Sequence, residues 1–182
     1  MARNMHRKLF KWTYFYLVSG MFIPFNIIML PLIKLLYATG LNSYVGLILG
    51  YVFYGLPANV FLTVGYLHSV PRELEESAVI DGATVWQTFW RVIFPLMKPI
   101  NATITIFTML NAWNDFMLPM LLIRDKSLMT LPLIQYAFQG QYNTDYGLAF
   151  ASYLMALLPA VIFFLFAQRW IVSGLVSGAV KS

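Results

Sequence analysis

The sequence predicts an all-α integral membrane protein, and three observations carry that prediction. Only 10% of its 182 residues are charged and 60% are hydrophobic, whereas a soluble domain carries about 25% charged residues. Residues 12–33 and 35–67 contain no charged side chain. The apolar runs are continuous rather than alternating, which suits helices and not a transmembrane β-barrel. A mean hydropathy of +0.70 agrees. This composition excludes both a soluble globular domain and a disordered chain.

A span needs about 20 residues, and charges mark where spans stop. The first helix is read over residues 12–37, ended by turn residues Ala38, Thr39, Gly40, Asn42 and Ser43. A second covers 44–67. A third covers 100–122 and carries Asn101, Asn111, Asn114 and Asp115. A fourth covers 146–168 and ends at Arg169. Between them lie a long polar-amphipathic segment, 68–99, and a mixed loop, 123–145, with Arg124, Asp125, Lys126 and Asp145.

Placing residues 1–11, 68–99 and 169–182 on one side of the bilayer gathers Arg3, Arg7, Lys8, Lys11, Arg72, Arg91, Lys98, Arg169 and Lys181 there. Only Lys34, Arg124 and Lys126 remain opposite. The positive-inside rule therefore places both termini and the 68–99 loop in the cytoplasm, consistent with four spans. The formal charge of +5 orients the chain in lipid and does not point to nucleic acid. There is no cysteine, so disulfides and thiolate metal sites are excluded. His6 and His68 stand alone, and no His–carboxylate or catalytic constellation points to a metal or an enzyme. The first apolar run is longer than the roughly 7–15 residues of a signal-peptide core.

The 69–95 stretch is the most informative. Pro71 suits a first helical turn, and Glu73, Glu75 and Glu76 fall where a helix N-terminus favours negative charge. Gly82 can end that helix in a left-handed conformation. Thr84 and Gln87 have capping-box spacing, so a second helix starts there, with Val85, Trp86, Phe89, Trp90, Val92 and Ile93 at helical periodicity and Pro95 as its stop. Two readings of this hairpin are open. It is an amphipathic hairpin resting on lipid, or a docking element. The cluster of Glu73, Glu75, Glu76 and Asp81 favours a basic protein partner over an anionic lipid surface.

Other features carry a bland and a sharp reading side by side. Asp115, with Asn111 and Asn114, is either an interhelical or helix-end hydrogen-bonding residue or part of a solute path, since a charge inside a membrane is costly. Trp12, Tyr14, Phe15 and Tyr16 read as an interfacial aromatic belt. Tyr51, Phe53 and Tyr54 read as packing, and Pro24, Pro31 and Pro57 as kinks. Residues 174–181 read on their own as a flexible tail.

The string Glu76-Ser77-Ala78, then Gly82, then Val92-Ile93-Phe94-Pro95 resembles the EAA signature of binding-protein-dependent ABC importer permeases. Glu76, Ala78, Gly82, Pro95 and every spacing match the family pattern, with conservative departures at Ser77, Val92 and Phe94. Trp113-Asn114-Asp115-Phe116 and residues 174–181 are similar to two further segments of the carbohydrate, maltose-type branch. The resemblance covers nearly the whole chain. It implies a type I importer permease fold with a coupling-helix hairpin, in a bacterial or archaeal inner membrane.

The resemblance also implies partners: a second permease subunit, two ATPase subunits, an extracytoplasmic sugar-binding protein and membrane lipid. Glu76, Ser77, Ala78, Asp81, Gly82, Val92, Phe94 and Pro95 would form the ATPase-coupling surface. Gly174, Gly178 and Lys181 would contact the ATPase pair, and the 123–145 loop would approach the binding protein. ATP and magnesium would be held by the partner ATPases, because this sequence has no G-x-x-x-x-G-K-[ST] loop and no cofactor site of its own. Family members carry two spans ahead of the basic segment that begins this sequence, so the resemblance implies a chain without them. The alternatives are a permease for another small solute, or a shortened membrane fragment that does not transport.

Overall fold

The computed structural model describes Arg3 and residues 6–138 and 146–179. Every regular element among these residues is helical. Two helices are long and apolar enough to cross a membrane, Tyr44–Ser69 and Tyr146–Phe166, with mean hydropathies of 1.7 and 2.3. The number rises to four if each of two broken helix pairs is one span.

The stretch read from sequence as a single helix over 12–37 is one of those pairs. Helix α1 covers Lys8–Ser19, a 3-10 turn covers Gly20–Phe22, and α2 covers Phe25–Ala38. The interruption falls at Ile23 and Pro24. Proline has no N–H to continue the ladder, and it pushes the residue before it out of helical geometry. Pro24 then stands at the head of α2 in an extended conformation. Hydropathy is blind to this, because the interrupting residues are apolar.

Helix α3 covers Tyr44–Ser69, α4 Glu73–Ile80 and α5 Val85–Thr88. A π-helical turn over Phe89–Ile93 leads into a short α6, Phe94–Leu96. The helix ends at Leu96, one residue past Pro95, close to the stop the sequence suggested. A proline ring collides with the carbonyl four residues back, and the wider π-turn before it relieves that collision. Helix α7, Lys98–Asn114, follows after a 67° bend.

The third predicted span, 100–122, is likewise divided. Helix α7 stops at Asn114, and α8 covers Met117–Leu122. The 123–145 loop holds a 3-10 turn, Lys126–Leu128, and α9, Leu131–Ala137, while Asp145 lies outside the described residues. Helix α10 covers Tyr146–Ala179. Its backbone stays helical well past Arg169, so the tail reading of residues 174–179 is corrected. No proline follows Pro159 to interrupt the ladder.

The chain divides into two compact units. The first comprises Met1–Met21, Pro57–Ile106 and Ala167–Ser182. Its core is Val70, Ile93, Met97 and Ile100, with Tyr66, Leu67, Val92 and Ile104 packed against it. Of the nine Lys and Arg that the sequence assigned to one side of the membrane, the eight among the described residues belong to this unit. The second unit comprises Phe22–Leu56 and Phe107–Phe166, and it holds the other three. Its core is Ile33, Leu36, Leu47, Leu118, Leu122 and Ile123. Two glycines one turn apart on α3 permit this packing. A Cβ on Gly46 would collide with the Leu41 carbonyl, and one on Gly50 would lie 2.9 Å from a Leu118 methyl.

Candidate functional site

Helix α4 opens with Glu73, Glu75 and Glu76 in its first turn, where free backbone N–H groups favour carboxylates. Its far end closes in a Schellman arrangement. The Gly82 N–H donates to the Val79 carbonyl at 3.0 Å, and the Ala83 N–H donates to the Ala78 carbonyl at 2.9 Å. Gly82 supplies the left-handed residue this needs, at φ +80°. The next helix begins at once. The Thr84 hydroxyl accepts from the Gln87 N–H at 3.3 Å, and the Gln87 side-chain carbonyl accepts from the Thr84 N–H at 2.8 Å, completing the expected capping box.

This turn satisfies its own backbone and presents side chains outward. Ile80 is 85% exposed, Val85 82% and Trp86 72%. Glu76, Ser77, Asp81 and Gly82 are also exposed. Among the described residues, no hydrogen bond or ion pair engages the side chains of Glu73, Glu76 or Asp81. An apolar tip with Asp81 beside it, and with Glu73 and Glu76 unengaged at the other end of α4, suits a partner surface that is apolar where it meets the tip and basic alongside the helix.

The other predicted residues of this group serve as its footing. Ala78 is buried. Val92 packs against the core formed by Val70, Ile93, Met97 and Ile100. Phe94 stacks within an aromatic cluster, 6.1 Å from Phe89 and 5.0 Å from Trp90 between ring centres. Pro95 is half-buried beside the π-turn. The Tyr66 hydroxyl donates to the Leu96 carbonyl at 3.3 Å, which ties α3 to the end of the hairpin.

Sequence reasoning missed one part of this region. The Arg3 Nε donates to Glu75 Oε1 in an ion pair, and its Nη2 donates to the Val70 carbonyl at 2.8 Å. These partners are separated by 72 and 67 positions, so no local pattern could have revealed them. Glu75 was grouped with the outward acidic cluster, but it faces this internal contact.

The second candidate group lies at the break between α7 and α8. Asp115 Oδ2 accepts from the Tyr51 hydroxyl at 2.9 Å, and Oδ1 accepts from the Met117 N–H at 3.1 Å. Both oxygens therefore hold the helix break together. The Asn114 Nδ2 donates back to the Leu110 carbonyl at 2.8 Å within its own helix. Asn111 is exposed. Gly174 and Gly178 lie on the helical backbone of α10, and Lys181 lies outside the described residues. Among the described residues, no group of His, Asp and Glu gathers in a way that could hold a metal ion.

A family model described as the binding-protein-dependent transport system inner membrane component matches residues 1–176. The chain is 46% identical over 183 residues to the multiple sugar-binding transport system permease protein MsmG of Streptococcus mutans, covering 99% of this chain and 66% of that protein. It is 35% identical over 179 residues to the probable starch degradation products transport system permease protein AmyC of Thermoanaerobacterium thermosulfurigenes, covering 98% of this chain and 65% of that one. It is 38% identical over 162 residues to the arabinooligosaccharides transport system permease protein AraQ of Bacillus subtilis, covering 88% and 57%. The chain thus spans about two thirds of the length of these relatives, or less.

Proposed function

The chain belongs to the binding-protein-dependent transport system inner membrane components, and from that premise we propose that it serves as a membrane-spanning subunit of an ATP-driven carbohydrate importer. The α4–α5 hairpin couples ATPase closure to movement of the spans. The observation that carries this reading is the hairpin itself: a backbone-satisfied turn with an exposed apolar tip and three unengaged carboxylates. Glu76 meets a basic residue of the ATPase, and Gly82 permits the bend. Ser77 and Asp81 lie on the contact face. Ala78, Val92, Phe94 and Pro95 fix its shape.

ATP and magnesium are held by two partner ATPase subunits, so this chain works by binding and motion. Closure of the ATPase pair favours one of two arrangements of the spans, and the free energy comes from contacts that differ between them. A second permease subunit completes the path, and an extracytoplasmic sugar-binding protein delivers the solute near the 123–145 loop. Both termini face the cytoplasm, which the concentration of Lys and Arg in the first unit supports. Gly174, Gly178 and Lys181 contact the ATPase pair. Asn111 and Asn114 are the candidates for the solute path. Asp115 holds the path's wall, because both its oxygens already have partners. Carbohydrate is the substrate class because the similar permeases are named for sugars, starch products and arabinooligosaccharides.

The test is a Glu76→Arg change in the assembled importer, with uptake measured against a panel of labelled sugars and amino acids. Uptake of sugar by the parent and loss of both uptake and ATPase co-purification in the variant are expected. Full co-purification and uptake in the variant would sink the coupling assignment, and uptake of amino acids alone would sink the substrate class.

A further inference from the structure

We propose that Arg3 is a positioning residue that braces the elbow between α3 and α4, so that a push on α4 moves α3 instead of bending the joint. This rests on the coupling role proposed above. Helix α3 ends at Ser69 and α4 begins at Glu73, so Val70, Pro71 and Arg72 form the joint. Each residue of a joint brings two soft dihedrals, and Pro71 removes only one of them. An unbraced joint would absorb motion.

The Arg3 guanidinium spans this joint. Its Nη2 donates to the Val70 carbonyl, which lies just past the end of α3, and its Nε donates to Glu75 in the first turn of α4. A planar fork with fixed donor directions can hold two acceptors at a set angle, which a lysine cannot do. The Arg72 Nη2 returns a bond to the Arg3 carbonyl at 3.3 Å, so the brace is itself held in place. The Arg3 and Glu75 side chains are only 19% and 28% exposed, which limits screening by salt. The Val70 side chain is buried with Ile93, Met97 and Ile100, so the same joint is anchored to the start of α7. The three first-turn carboxylates of α4 therefore divide their work: Glu75 faces the brace, while Glu73 and Glu76 remain outside it.

The chain has no cysteine, so a spin-label pair can be introduced cleanly as Leu62→Cys on α3 and Val79→Cys on α4. Double electron–electron resonance on the assembled importer in nanodiscs then reads the joint, without nucleotide and with ATP plus vanadate. With Arg3 present, one narrow distance distribution unchanged by nucleotide is expected. Arg3→Ala is expected to broaden it about twofold as the joint regains its soft dihedrals, and to make it shift with nucleotide. Arg3→Lys restores part of the narrowness, and Glu75→Gln broadens it less because the Val70 contact persists. An Arg3→Ala distribution as narrow as the parent's overturns the proposal. If Arg3→Ala does not assemble, an unchanged width in Glu75→Gln overturns it instead. Failure of the coupling role shows separately, as a parent complex that retains no ATPase, and the nucleotide-free width still decides the brace.

Discussion

The α4–α5 hairpin and the α7–α8 break together carry five of the molecule's seven acidic side chains, and they use them in different ways. In the α4–α5 hairpin the turn's backbone is satisfied by its own amides, by Thr84 and by Gln87, and Glu73, Glu76 and Asp81 are unengaged among the described residues. At the α7–α8 break the single carboxylate, Asp115, is the satisfying group, taken up by Tyr51 and by the Met117 N–H. A carboxylate's role is therefore read from what its oxygens touch. Both sites lie in segments that resemble family motifs, yet one presents charge outward and the other consumes it.

The largest effect that could break this contrast concerns packing beneath the α7–α8 break. Leu122 is fully buried, and Leu122→Ala should destabilise the protein by about 3 kcal/mol. Trp86 at the hairpin tip is exposed, so Trp86→Ala should stay within about 0.5 kcal/mol of the parent. Thermal unfolding in detergent would compare them, and a reversed order would mean that the tip is the packed end. Next comes the carboxylate itself. Asp115→Asn weakens two charge-assisted hydrogen bonds and should cost about 1–2 kcal/mol. Glu76→Gln should leave unfolding unchanged while reducing ATPase retention on affinity purification. Equal losses of stability in the two variants would erase the distinction.

An effect of similar size is expected at Gly82. An alanine there must adopt φ +80°, which costs about 1–2 kcal/mol. Amide exchange should speed up at Gly82 and Ala83 and stay unchanged in α8. The smallest effect is electrostatic. Asp125 accepts hydrogen bonds from the Ser127 backbone N–H and hydroxyl, and these hold its carboxyl below the ordinary value of 3.8. A lowered pKa means that the contribution is present at neutral pH and fades as pH falls below that value. Ser127→Ala keeps the backbone donor, so the titration midpoint, followed by carbon NMR, should rise only part of the way.

Legibility in the sequence followed distance along the chain. The capping box at Thr84 and Gln87, the left-handed Gly82 and the acidic first turn of α4 depend on neighbours within four residues, and they were readable. The two contacts that fix the candidate sites join residues 64 and 72 positions apart, Tyr51 with Asp115 and Arg3 with Glu75, and no periodicity announces them. The breaks at Pro24 and Asp115 escaped for another reason. A hydropathy run reports solvent preference, whereas a missing N–H or a side chain that substitutes for the backbone is a matter of hydrogen-bond supply. The π-turn was hidden because it alters register, while the apolar pattern on either side continues to read as helix.

That π-turn has a consequence for insertions and deletions. A π-turn holds one residue more than an α-turn, so Phe89–Ile93 is where the polypeptide keeps a spare. Losing one residue there could tighten the coil and leave both flanks aimed as before. The same loss within α4 would rotate everything beyond it by about 100°, carrying Glu76 from one side of the helix toward another. Chain length is thus forgiving at one end of the hairpin and strict at the other.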